Sequence, residues 1–385
     1  MFFRPVWALL AALSISACAS MPPLPRSGEL PSVPELLDGQ ALLEASVPGE
    51  ALPVIDTRGL TPEMRAFVSQ SVAGARSAEA RLQRLLWDMR RNGLLTLTYQ
   101  STHTGTASET FETRVGNCLS FTNLFVALAR EAGLEVSYQQ VDIPPVWTSG
   151  GEMLMLNQHV NVRVHRTTRQ RASTHDHVVD FNAPEYTGNY PQRPVADAVI
   201  DALFHNNLAV DALVADDPRT AFLHFRRALA IDPASTSAWT NLGVLYQRNA
   251  LERHAEAAFH QALAHDPGHK VAMSNLARLY DRLGHTDLAA AYRERIRRHQ
   301  QQNPYYHFFL AEQAFAQADL DATLRAVDRA IRLREQEHQF HFLRAQTLEA
   351  LGDREAARLS LLRAEEHATF ATVRNTYRRK LEALE

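Results

Sequence analysis

Hydrophobic positions change their spacing several times along this chain, and each change marks a different kind of element. Residues 6–16 (VWALLAALSIS) are apolar or small throughout, a run too short to span a bilayer. From residue 19 to about residue 53 the pattern dissolves into Pro, Ser and small residues, which predicts a tether without a core of its own. Helical spacing then predicts a helix over Pro62–Ser71, with Thr61 as N-cap, and a second over Ala78–Arg91, where Leu82, Leu85, Leu86 and Met89 share a face. Residues 94–100 (LLTLTYQ) predict a strand, and a short helix begins at Ser108. A stronger helix starts at about Leu119 and ends at Glu131. Its residues Phe121, Leu124, Phe125, Leu128 and Ala129 recur at helical spacing, and Gly133 supplies the stop. Strand-like segments follow at Val136–Val141, residues 153–164 and residues 177–181; in His159–Val164 the valines alternate with polar residues. The polar stretch 166–176 predicts an exposed loop.

The C-terminal half repeats itself. Ala221, Ala255, Ala289 and Ala357 lie on a 34-residue grid, with Thr323 in the remaining slot, and Phe225 and Phe259 share that period. Pro233 and Pro267 close two of the units. Trp239, Leu242, Gly243 and Tyr246 head one unit, and Met273, Leu276, Ala277 and Tyr280 repeat it one period later. This spacing resembles the tetratricopeptide (TPR) signature. The resemblance implies an all-α solenoid, in which Gly243, Ala255 and Ala262 let helices approach while Trp239, Leu242, Tyr246 and Phe259 fill the gaps. About five units are expected between residues 201 and 368, with Arg344 standing where Leu is usual. A charged helix over about 373–384 is expected to cap the stack.

Composition adds a compartment and removes one partner class. The 385 residues allow two domains beyond a leader, and 45 % hydrophobic with 22 % charged residues is a globular balance. A net charge of -3 provides no field that would draw nucleic acid, so no nucleic-acid partner is expected. Arg4 precedes the apolar run and Ile15-Ser16-Ala17-Cys18 ends it, which resembles the lipobox of bacterial lipoproteins. That resemblance implies cleavage before Cys18, lipidation of Cys18 and attachment to a membrane. Ala19 in place of Asp implies sorting to the outer membrane, facing the periplasm. An ordinary secretory leader cut nearby is the plainer alternative. With Cys18 in a thioether, Cys118 has no cysteine left to pair with in this chain.

Thr106-Ala107-Ser108-Glu109-Thr110-Phe111, then Arg114-Val115-Gly116-Asn117-Cys118 and the run FTNLFVALAREAG, resemble the transglutaminase-like superfamily of papain-like folds. The similarity extends from Thr104 to Asn182. It implies an α+β papain/transglutaminase-like N-terminal domain over residues 54–198, after a signal peptide (1–17) and tether (18–53) and before TPR repeats (199–385). It also implies a triad in which Cys118 is the nucleophile, His159 the base at the head of a strand, and Asp180 the carboxylate on the next strand. The positive end of a helix dipole favours an anionic sulfur. An imidazole within reach takes the thiol proton and returns it to the leaving group. A carboxylate beside the ring fixes its tautomer. Attack on an amide or ester gives a thioester, resolved by water or by an amine. The oxyanion donor stays open between the side chain of Gln100 and the backbone N–H of Cys118.

Plainer readings stand beside these. Cys118 also suits a small buried apolar position. His165, His175 and His177 compete with His159, and Asp176 and Asn182 with Asp180. No compact ligand spacing points to a metal, and no cofactor is expected. Asn161 stands where many relatives carry an aromatic, two residues after the His. Pro144-Pro145-Val146-Trp147 and the Gly150-Gly151 pair predict a mobile loop over the cleft. The expected function is a lipid-anchored, periplasm-facing cysteine hydrolase or acyltransferase acting on peptide or protein amides. Its TPR array would recruit a protein or peptide along a concave surface. The alternative is a catalytically inactive scaffold; a peptidoglycan stem peptide as acyl donor is a third.

Overall fold

The computed structural model describes residues 26–47, 54–141, 146–147, 153–154, 159–165, 177–181, 190–369 and 371–383. The leader with Cys18 and most of the Pro/Gly-containing loop before His159 lie outside the described residues.

Two short helices come first, α1 (Val33–Leu37) and α2 (Gln40–Leu43). They fall inside the segment expected to be a coreless tether, and that expectation is corrected for residues 26–47. Leu36 is fully buried, and Leu30, Val33, Leu37, Leu42, Leu43 and Val47 pack against the core of the repeats. The apolar residues here are few, but their partners lie far along the chain, where local composition gives no hint of them.

α3 (Pro62–Ser71) and α4 (Ala78–Arg91) follow, and the hydroxyls of Thr61 and Ser77 accept from the N–H groups of Met64 and Ala80. The strand expected over 94–100 shrinks to β1 (Thr98–Tyr99). Gly93 takes φ +73°, and the N–H of Leu94 turns back to the carbonyl of Met89, so residues after α4 close its C-terminus instead of extending. Next come α5 (Ala107–Thr113), β2 (Val115–Gly116) and α6 (Cys118–Glu131). α5 begins one residue before Ser108 because Thr106 and Glu109 form a capping box. The rest of this body is β3 (Val136–Val141), β4 (Val146–Trp147), β5 (Met153–Leu154), β6 (His159–Val164), β7 (His177–Val179) and β8 (Gln192–Val195). The main sheet is antiparallel with order β7-β6-β3-β8. Sequence reasoning missed β8. It contains Pro194, which lacks a ladder donor and is tolerated there because β8 is an edge strand.

α6 is the centre of this body. Every residue from Leu119 to Ala129 is buried, against α3, α5 and the sheet residues Tyr138, Val160, Val162 and Val164. A helix apolar on all sides belongs in a core.

The repeat array is built from α7 (Asp197–Val214), α8 (Pro218–Ile231), α9 (Thr236–Arg248), α10 (Glu252–His265), α11 (Lys270–Arg282), α12 (Thr286–Gln301), α13 (Pro304–Ala316), α14 (Leu320–Leu333), α15 (His338–Ala350), α16 (Arg354–His367) and α17 (Ala371–Glu382). Consecutive helices from α7 to α16 pair as hairpins, and α17 packs on the last of them. α7 serves both bodies. Ile200 and Phe204 enter the core around α6, whereas Ala209, Ala212 and Leu213 enter the repeat core. Arg58 and Thr57 bind Asp201, and Arg130 binds Asp197, which fixes α7 against the first body.

Trp239, Leu242, Tyr246, Ala255 and Phe259 are all buried, and the indole of Trp239 donates to the carbonyl of Pro233 at 2.9 Å. Pro267 follows α10 in the turn to α11, where its carbonyl accepts from Arg295. At Gly243 an added Cβ would stand 2.5 Å from the ring of Phe259, which is itself fully buried and has nowhere to swing. Gly243→Ala should therefore lower stability by about 1–3 kcal/mol through overpacking, measured by urea denaturation; a loss no larger than the surface-mutation scatter would contradict this packing.

Candidate active site

Cys118 is the first residue of α6 and is partly exposed. A polar collar fixes it there. Asn117 caps the helix: its Oδ1 accepts from the N–H of Ser120 at 3.1 Å, and its Nδ2 donates to Thr104 Oγ1 at 2.7 Å. The N–H of Asn117 donates to the carbonyl of His103, and Ser120 Oγ accepts from the N–H of Gly105. Gly116 must be glycine, because a Cβ would lie 2.6 Å from that of Ser120.

His159 opens β6 and is 3 % exposed. Its Nε2 lies 2.8 Å from both Oδ1 and Oδ2 of Asp180, and the ring is near enough to the sulfur of Cys118 for the sulfur to favour the charged imidazole. Register brings these groups together. The β6–β7 ladder pairs Val162 with Val179, so the next step of the chain places Asp180 across from Asn161, with His159 two residues further along the same face. Phe181 then packs against Phe121 and Phe125, with centroids 6.1 Å apart in each case, which ties the segment carrying Asp180 to the helix carrying Cys118. Burial alone would lower the pKa of His159. The hydrogen-bonded Asp180 carboxylate and the nearby Cys118 sulfur outweigh it, and the imidazole is pushed up to about 9.

The described competitors of His159 lie elsewhere. His165 Nε2 meets Ser137 Oγ at 2.9 Å, and His177 Nε2 meets Glu79 Oε2 at 3.1 Å, both at the opposite end of the β6–β7 ladder from His159. His175, Asp176 and Asn182 lie outside the described residues. Gln100 follows β1, and its N–H donates to the carbonyl of Gly116, so its backbone adjoins the strand leading into Cys118; its side chain is exposed.

Asn161 is the functional neighbour that sequence reasoning did not assign. It is 1 % exposed, and its Nδ2 donates to Asp180 Oδ2 at 3.2 Å. Its signal was present: a polar residue in strand register with His159, where relatives carry an aromatic. An amide there holds the carboxylate that an aromatic ring could only cover.

Residues 65–146 match the family model of the transglutaminase-like superfamily, and residues 253–312 match that of the tetratricopeptide repeat. The first match contains Cys118 and stops before His159. The chain thus carries a transglutaminase-like α+β domain joined to a TPR solenoid. Among solved structures, MamA is 15 % identical, with 43 % of this chain and 91 % of that chain covered and a TM-score of 0.24. YrrB, described as a TPR protein with an unusual peptide-binding site, is 17 % identical, with 46 % and 92 % covered and a TM-score of 0.25. A thermophilic TPR protein of Thermus thermophilus is 17 % identical, with 47 % and 99 % covered and a TM-score of 0.25. No curated protein matches the chain.

The raised pKa of His159 sets a pH window. Its contribution to stability is complete below the unfolded value of 6.5 and is lost as pH rises through about 9. Wild-type stability should fall across that alkaline range, and His159→Gln should flatten the fall when both are followed by denaturant titration. Identical pH profiles would remove the Asp180–His159–Cys118 linkage from the account.

Proposed function

We propose that this chain is a cysteine acyl-transfer enzyme of the cell envelope, acting on peptide or protein amides. The observation that carries the proposal is the His159–Asp180 pair, with Nε2 2.8 Å from the carboxylate, beside Cys118 at the head of α6. His159 already holds a proton at neutral pH, and the sulfur of Cys118 attacks the carbonyl carbon as the anion beside it. His159 then delivers that proton to the departing amine as the C–N bond breaks, leaving a thioester on Cys118. Water or an amine attacks the thioester, giving up its proton to His159, and the sulfur departs as the anion beside the protonated ring as the product acyl group leaves. Asp180 keeps Nε2 of His159 engaged, so the other ring nitrogen serves the sulfur. As the first helical residue, Cys118 has a backbone N–H without an intrahelical acceptor, which suits it to the oxyanion. Gln100 is the second candidate donor.

The lipobox-like end of the leader supports attachment through Cys18, with the body in the periplasm. The TPR array supports recruitment of a protein or peptide, since hairpin stacks present extended binding surfaces.

Iodoacetamide at neutral pH should alkylate Cys118 rapidly, with His159→Ala slowing the reaction by about 10²-fold or more. Equal and slow alkylation of both proteins would replace the enzyme with a scaffold. Separately, Cys18→Ser should move the protein from the membrane fraction to the soluble fraction; retention in the membrane would overturn the lipid anchor.

A further inference from the structure

Residues 26–47 run along α8 and α10, the second helices of the first two hairpins, and are held at both ends and in the middle. Ser27 donates from its N–H and its hydroxyl to the carboxylate of Glu256. The carbonyl of Glu29 accepts from Arg253, that of Leu36 from the hydroxyl of Tyr246, and that of Val47 from Arg226. Between these ties Leu36 is sealed into the repeat core. Gly39 takes φ +84°, and a Cβ there would come within 3.0 Å of the Phe222 ring.

Glu256 shows that the repeats are shaped for this segment. It is 1 % exposed, on a helix whose outer side would meet water in a bare solenoid. Its carboxylate accepts from the hydroxyl of Tyr280 and from the two donors of Ser27. A carboxylate is buried at heavy cost unless donors replace its water, and Ser27 supplies most of them. Tyr246 tells the same story: it is a signature packing residue of the repeat, yet its hydroxyl is spent on the carbonyl of Leu36.

We propose that residues 26–47 are a ligand in cis of the repeat array, a latch that fastens the leader end of the chain to the first two hairpins. The face of α8 and α10 is then an occupied docking surface, and seven residues, 19–25, separate the latch from Cys18. That length spans at most about 25 Å when fully extended. In the lipidated protein this keeps the first hairpins close to the bilayer, with the catalytic domain attached through α7. The latch itself does not require lipidation; only the membrane spacing rests on the proposed anchor.

Limited proteolysis of the full chain with a non-specific protease tests the latch. Cleavage within residues 26–47 should be slow in the wild type and about tenfold faster or more in Leu36→Asp, because cleavage follows the population of the undocked segment. Gly39→Val, which acts by collision with Phe222 and not by adding charge, should accelerate the same cleavage. Helical circular dichroism and Cys118 alkylation should be unchanged in both variants; should Leu36→Asp lose helicity, Gly39→Val decides alone. Cleavage of the wild type within 26–47 as fast as in the folded variants would overturn the proposal. Cys18→Ser should leave the cleavage pattern as it is, so failure of the anchor and failure of the latch give different results.

Discussion

A helix with no solvent-facing side can expose a reactive group only at its end, and α6 is such a helix. Its burial from Leu119 to Ala129 fixes its axis in the core, so Cys118 at its first position is fixed as well. The N–H groups of a first turn must still be satisfied, and the core offers nothing apolar that can do so. Asn117 Oδ1 meets that need for the N–H of Ser120, while Thr104 and the carbonyl of His103 accept from Asn117 and so gather the segments that precede the cysteine. The same helix receives Phe181 on Phe121 and Phe125, which draws in the segment carrying Asp180. Nucleophile and carboxylate are therefore placed by one apolar helix, and β6 supplies the imidazole between them.

This dependence separates what could be read from the sequence from what could not. Cys118 was legible because glycine, a capping residue and an apolar run together announce a buried helix start. His159 was legible from strand alternation, and Asp180 from its position after Val178 and Val179. Asn161 was visible as a departure but not as a partner, because its role depends on a cross-strand register that only pairing reveals. β8 was hidden by Pro194, since tolerance of proline depends on edge position and not on local propensity. The latch was hidden for a related reason. Leu36 and Ser27 find their partners more than two hundred residues away, and no window of the sequence contains both sides of those contacts. Repeat periodicity, by contrast, was the most readable feature, because each hairpin buries its residues against its immediate neighbours.

α7 adds a mechanical constraint that a two-domain division of the sequence would miss. Its first turns are held by Arg58, Thr57 and Arg130, and its last turns are packed in the repeats. A continuous helix of 18 residues has no hinge. The transglutaminase-like domain and the first hairpin are therefore joined through one rigid element.

The array is not uniform along its length. The apolar core is continuous from α7 through α12 and includes the residues of the latch, whereas the later hairpins carry two separate and smaller clusters. Arg344, in a slot that usually holds Leu, bonds Asp328 and Ser360 across α14 and α16 instead of extending the core. Stability in a solenoid passes from neighbour to neighbour, so polar substitution at such a slot loosens the coupling of the hairpins beyond it. The first two hairpins hold residues 26–47, and α7 ties them to the transglutaminase-like domain. The later hairpins have the weaker shared core, so local opening at low free-energy cost belongs to them, although Tyr305 of α13 packs edge-on against Tyr190 of the other body. The array thus grades from a core stiffened by residues 26–47 at one end to separately packed hairpins at the other.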